Sequence, residues 1–280
     1  MDATRRRDGK QVMLKKVFPE EGPHELIITQ LFSSPGVAQD PRNHCVPLLN
    51  TLEMPQIGQK LMVMPFLRPF NNPRFQTFGE FVAFFAQICE VNIFNTRRRE
   101  SSLMELWIRV SNSCTSETSH TGMSGLWTPT IGCTSEAISF RDCTANNIML
   151  DPSKMFPQGY HPTQMNLNRD FKGRAKRYTR TQRPPRYYLI DFGLSRQYPT
   201  RKALDVPLRG GDKSAPEHRN ATRCNPFYTD IYYLGNLFRQ EFIQVRLVTT
   251  MPTPVLRPVI ILMDYLLEVQ RFRVYARSCG

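Results

Sequence analysis

Four side chains in this sequence have the types and the order that phosphoryl transfer asks for. Arg141-Asp142 is followed by Asn147, five residues after the aspartate; Asp191-Phe192-Gly193 comes next, and then Ala215-Pro216-Glu217. Upstream, Lys15 closes Val12-Met13-Leu14-Lys15, and Asp230-Ile231-Tyr232-Tyr233-Leu234-Gly235 follows downstream. Moving a phosphoryl group needs little covalent help from a protein. It needs two carboxylate or amide oxygens on Mg²⁺, a cation on the phosphates and a carboxylate that aligns the nucleophile. Lys15, Asp142, Asn147 and Asp191 supply that inventory. Singly, each has a plainer explanation, such as an exposed Lys on a strand or an Asp capping a turn. One three-residue match arises by chance in about one chain in thirty of this length, but three in this order in only about one in 10⁴–10⁵. The joint order therefore outweighs the plain explanations.

The set resembles the protein kinase superfamily, in particular fungal protein-kinase-like proteins with an Arg-Asp-Cys-Thr-Ala-x-Asn catalytic loop, which here runs from Arg141 to Asn147. The resemblance covers residues 11–90 and 140–244. It implies that Asp142 orients the substrate hydroxyl and accepts its proton, and that Asn147 and Asp191 hold Mg²⁺ against the phosphates of ATP. It implies that Lys15 reaches the α- and β-phosphates, paired with a helix carboxylate, Glu25 first and Glu21 as the other choice. Catalysis would then rest on Asp142, Asn147 and Lys15. Lys15, Glu25, Met64, Leu67 and Asp191 would bind the nucleotide, with adenine at the Met64-Pro65-Phe66-Leu67 hinge. The cofactors implied are ATP and Mg²⁺, and the partner is a protein substrate phosphorylated on Ser or Thr before Tyr. Glu217 and Asp230 are expected to be structural anchors. Arg141 is placed to meet a phosphate on Ser195, Thr200 or Ser214.

The elements that must position these residues are partly readable. Residues 11–17 alternate as a strand, 25–32 suit a short helix stopped by Ser33-Ser34-Pro35-Gly36, and 60–64 read as a buried strand. Residues 78–90 carry an apolar helical face, and 187–190 form a strand running into Asp191. The expected fold class is α+β, a protein-kinase-like bilobal fold with a truncated β-rich N-lobe, a mainly α C-lobe and two long irregular insertions. The N-lobe would span residues 1–67 and the C-lobe 68–90 with 140–245. The insertions would be a Ser/Thr-rich, disordered segment at 91–139 and a basic one at 152–186, followed by an atypical tail at 246–280. Residues 91–139 greatly exceed what the resemblance implies before the catalytic loop, so they read as a retained intervening sequence or an off-frame stretch. No Gly-x-Gly-x-x-Gly motif is present, Met13 stands where the family places a small residue against adenine, and Phe140 and Thr144 replace the usual His and Lys.

Composition excludes several other classes. The first ten residues are charged, so no secretory signal is visible, and the longest apolar run, 259–267, is interrupted by Asp264 and too short to span a bilayer. Seven cysteines without Cys-x-x-Cys spacing argue against a disulfide framework, and histidines at 24, 44, 120, 161 and 218 are too scattered for zinc. An intracellular protein, cytoplasmic or nuclear, is expected. The net charge is +13, and eight basic residues stand against one acid between Arg169 and Arg186. That stretch is a candidate site for an anionic partner. It leaves two alternatives to an active kinase: a catalytically impaired pseudokinase scaffold, and a basic nucleic-acid-binding protein.

Overall fold

The computed structural model describes residues 1–18, 20, 22–54, 58–96, 137–208, 210–220 and 222–243. They form an α+β protein of helices and antiparallel sheets. The chain divides into two compact units, Met1–Phe94 with Ala145–Arg196, and Asn95–Thr144 with Gln197–Gly280. This division does not fall at residue 67. Residues 68–90 and the basic stretch, both expected in the larger lobe, belong with the N-terminal strands.

The first unit opens with a four-stranded antiparallel sheet in the order β1-β2-β4-β3, with β1 at Asp2–Thr4, β2 at Gln11–Val17, β3 at Asn50–Met54 and β4 at Gln59–Pro65. The lysine strand is therefore preceded by a strand of its own sheet, reached through a turn where Arg5 pairs with Asp8 and Gly9 takes φ 65°. Leu61, Met62, Val63 and Met64 are buried in succession, as fits a central strand covered on both faces. Between β2 and β3 lies α1, Glu25–Phe32. It buries Glu25, Ile28, Thr29 and Phe32, the i, i+3, i+4, i+7 face of a helix.

After two linking residues the chain enters a three-stranded sheet, β5 (Arg68–Pro69), β7 (Ile148–Leu150) and β8 (Tyr187–Leu189), in the order β5-β7-β8. The helix α2, Phe78–Thr96, buries Phe81, Phe84, Phe85 and Ile88. Phe84 stacks on Phe70 at 4.9 Å and meets Tyr187 edge-on at 4.8 Å. Hydrogen bonds tie the same helix to the end of the basic stretch. Glu80 accepts from the Thr181 hydroxyl (2.9 Å), and Gln87 accepts from Tyr187 N (3.0 Å) and donates to Pro185 O (3.2 Å). These contacts are why 68–94 and 145–196 form one unit. The expected insertion at 152–186 is irregular, but it is packed: Met155, Phe156, Tyr160 and Arg180 are buried.

The second unit contains β6 (Ala137–Ser139) and β9 (Arg196–Tyr198), which pair, then α3 (Glu217–Asn220) and α4 (Pro226–Phe238), continued by a π-helical turn at Arg239–Ile243. Asn225 caps α4 by accepting from Phe227 N at 3.0 Å, and Pro226 starts the helix, where its missing N–H leaves nothing unpaired. The segment expected to be irregular at 91–139 is thus regular at both ends. The helix α2 runs past Glu90 to Thr96, and all three residues of β6 are buried. Residues 97–136, the tail from 244 onward and Glu21 lie outside the described residues. Among the described residues no helix is long and apolar enough to cross a membrane.

Candidate functional site

In the first unit, β2, α1 and the end of β8 bring three of the expected residues together. Lys15 lies opposite Met62 in the sheet, and its ammonium pairs with the Glu25 carboxylate and, at 2.8 Å, with Asp191 Oδ1. Glu25 is buried in the first turn of α1, whereas the Asp191 side chain is 49% exposed. Burial works against the Lys15 charge, but the hydrogen bonds it donates to Asp191 and Glu25, with their negative charges, outweigh it and hold the ammonium above its ordinary range. One cation between two carboxylates leaves the cluster a net −1, with its accessible oxygen on Asp191.

The backbone at Asp191 is left-handed, φ 60°, an uncommon state for a residue other than glycine. Neighbouring contacts hold it there. Gly193 N donates to Asp191 Oδ1 at 3.3 Å, and the buried Phe192 ring lies 5.9 Å from Phe32 at the end of α1. A Cβ on Gly22 would come within 3.2 Å of Gly193 Cα, so the absence of a side chain lets the chain before α1 lie close against this turn. Asn147 ends the 3₁₀ turn Ala145–Asn147 and is buried; its carbonyl accepts from Ile190 N at 2.9 Å, one residue before Asp191. Met64 is buried on β4 opposite Met13, and Leu67 is one of the two residues linking β4 to β5.

Asp142 and Arg141 belong to the second unit. Asp230 on α4 is buried and accepts from Ser139 Oγ (2.7 Å), Phe140 N (2.8 Å) and Arg141 N (2.6 Å), which makes it the anchor that the motif order suggests. Arg141 also has a left-handed backbone, φ 64°. Its guanidinium donates to Tyr198 Oη (2.8 Å), Asp205 Oδ2 (2.7 Å) and the Val206 carbonyl. The cation expected to meet a phosphate therefore meets a carboxylate of its own chain. Burial opposes the Asp205 charge, but hydrogen bonds from Tyr198, Val206 N and Arg141 hold that carboxyl far below the usual range. Asp142 Oδ1 accepts from Gly211 N at 2.8 Å, and a Cβ on Gly210 would lie 2.6 Å from the same oxygen, so a side chain there would push the Asp142 carboxylate from its place.

Sequence reasoning missed Ser139, Tyr198 and Asp205. They are ordinary residue types 57 to 91 positions from their partners, and no local pattern marks them. The Gly210-Gly211 pair is a turn signal that could have been read. No protein-family model matches this chain, and no curated protein matches it significantly.

Proposed function

We propose that the chain is a protein-kinase-like phosphotransferase that uses Mg·ATP on a protein hydroxyl, Ser or Thr before Tyr, on a kinase-type bilobal fold with a reduced small lobe. The observation that carries this reading is the Lys15–Glu25–Asp191 cluster, in which Lys15 and Asp191 from the motifs and the helix carboxylate that the resemblance implies meet around one ammonium group. The donor set suits the cofactor. Among the described residues no three metal-ligating side chains cluster, and Mg²⁺ does not ask for that: one or two carboxylates suffice where phosphates complete the shell. The exposed Asp191 carboxylate in a net-negative cluster is such a ligand, with Asn147 the second.

Bound Mg·ATP supplies the phosphoryl group and the metal charge that offsets its developing negative charge. The chain's own residues supply position. Glu25 holds the Lys15 ammonium where it serves as the cation for the phosphates. Asp142, its carboxylate oriented by the Gly211 N–H, aligns the substrate hydroxyl and takes its proton. Met64 and Leu67 border the adenine, with Met13 adding bulk across the sheet. A catalytically impaired scaffold is the second reading. It is favoured by the turn between β1 and β2, which is braced by Arg5 and Asp8 and has Gly9 as its one glycine, where the family has a glycine-rich phosphate cover.

Thermal unfolding at millimolar ATP with and without Mg²⁺ tests the reading. A Mg²⁺-dependent rise in Tm that Asp191→Asn abolishes is expected, together with radiolabelled phosphate transfer that Asp142→Ala removes. A shift without transfer selects the scaffold. No shift, or transfer that survives Asp142→Ala, refutes the assigned roles.

A further inference from the structure

The basic stretch of the first unit has an arrangement that phosphoryl transfer does not use. Of its cations, Arg169, Lys172, Arg174, Lys176, Arg177 and Arg183 are exposed, and none makes an ion pair among the described residues. The one acid within the stretch, Asp170, accepts from Lys172 N at 3.0 Å, and Glu80 of α2 accepts from Thr181. Below them lie two buried guanidiniums, Arg68 and Arg180, which donate to carbonyl, amide and hydroxyl oxygens rather than to carboxylates. Burial is the main influence on both, with the Arg177 charge acting against each and Glu80 acting in favour of Arg180. The six exposed cations above them make no ion pair among the described residues.

Two aromatic rings of the same stretch are exposed. Phe171 is 56% exposed and sits at the tip of a turn with φ 61°, a strained state for so large a side chain. The turn is cross-tied by Phe171 N to Asn168 O (3.0 Å), Asn168 N to Gly173 O (3.0 Å) and Asn168 Nδ2 to Lys172 O (2.8 Å). The His161 ring lies 3.9 Å from the Phe171 ring, centroid to centroid. Tyr178 is 42% exposed, with the Arg183 guanidinium 5.2 Å from its ring centroid. An ordered turn thus keeps the Phe171 ring more than half exposed beside His161, within a stretch that carries six exposed cations.

We propose that this surface binds single-stranded nucleic acid, with the cations following the phosphates and Phe171 and Tyr178 stacking on bases. Duplex nucleic acid and acidic peptides offer the charge but no unstacked bases, and so leave the rings unused. The test is fluorescence anisotropy with the full chain, using a labelled 15-nucleotide oligo(U) or oligo(dT), a 15-base-pair duplex and polyglutamate.

Tighter binding to the single strand than to either competitor is expected. The slope of log K against log salt should be about −0.7 per phosphate neutralised, or about −3 to −4 for five contacts. Phe171→Leu with Tyr178→Leu should weaken single-strand binding about tenfold or more while leaving the melting temperature unchanged. Lys172→Gln with Lys176→Gln and Arg177→Gln, all on exposed side chains, should weaken it and flatten the slope. No binding, equal affinity for duplex or polyglutamate, or undiminished binding by either variant overturns the proposal.

Discussion

Asp230 sits inside α4 with three donors on its carboxylate, yet burial pushes its pKa up to about 6, against the pull of Ser139 and of the Arg141 and Phe140 N–H groups. An unfolded aspartate titrates near 3.9. The folded state thus holds this proton more tightly. Its contribution to stability is full below about pH 4 and is lost as the pH rises through about 6. Asp205, on the guanidinium of the same arginine, has the opposite sign: its depressed pKa gives stability that is present above the ordinary carboxylate range and lost only in strong acid. Urea unfolding followed by circular dichroism at about pH 5 and pH 7 separates the two. The wild-type midpoint should fall more between these values than that of Asp230→Asn, and parallel pH profiles would show that Asp230 does not titrate there.

Among the elements, the ones legible in the sequence were those with a period long enough to see. The strand at 11–17, the helix at 25–32 and β4 are each seven or eight residues long, and the last two each bury four residues on one rule. β3 escaped because Asn50–Met54 is a largely exposed edge strand, and β5, β7 and β6, at two or three residues, are too short to show alternation. Of the site, Lys15 and Asp191 were legible as motif members and Glu25 only as one of two carboxylates that the resemblance allowed; their meeting is a property of the fold. The basic stretch shows what counting charges hides. Arg180 belongs to the same run as Arg174, but it is 3% exposed and donates to Tyr187 Oη (2.6 Å), Phe70 O (2.7 Å) and Pro73 O, with its guanidinium 4.3 Å from the Phe75 ring centroid. Replacing it would leave those oxygens without a donor in the aromatic core. Arg180→Gln should cost about 2 kcal/mol or more, whereas Arg174→Gln should stay within about 0.5 kcal/mol of wild type. Denaturant midpoints measured side by side decide this, and equal effects would remove Arg180 from the core.

At the scale of the whole molecule, both units are discontinuous. Each is assembled from two stretches of chain, with crossings after residues 94, 144 and 196. The first stretch alone lacks β7 and β8, and with them Tyr187 against Phe84 and Thr181 on Glu80. A fragment ending at residue 96 should therefore show no cooperative thermal transition, while the full chain shows one; a cooperative melt of the fragment would mean that its sheet is self-sufficient. The net charge of +13 also has an uneven address. Of eight cations between Arg169 and Arg186, Arg180 turns inward and Arg186 donates to Pro41 O (2.8 Å) and Asn43 O (2.9 Å), which leaves six outside. The Lys15 cluster also has a history in time. Translation at about 5–20 residues per second delivers Asp191 roughly 8 to 33 seconds after Glu25. Lys15 and Glu25 thus both exist well before the second carboxylate is made, and because the first unit needs 145–196 to close, the three-residue cluster can form only late in synthesis.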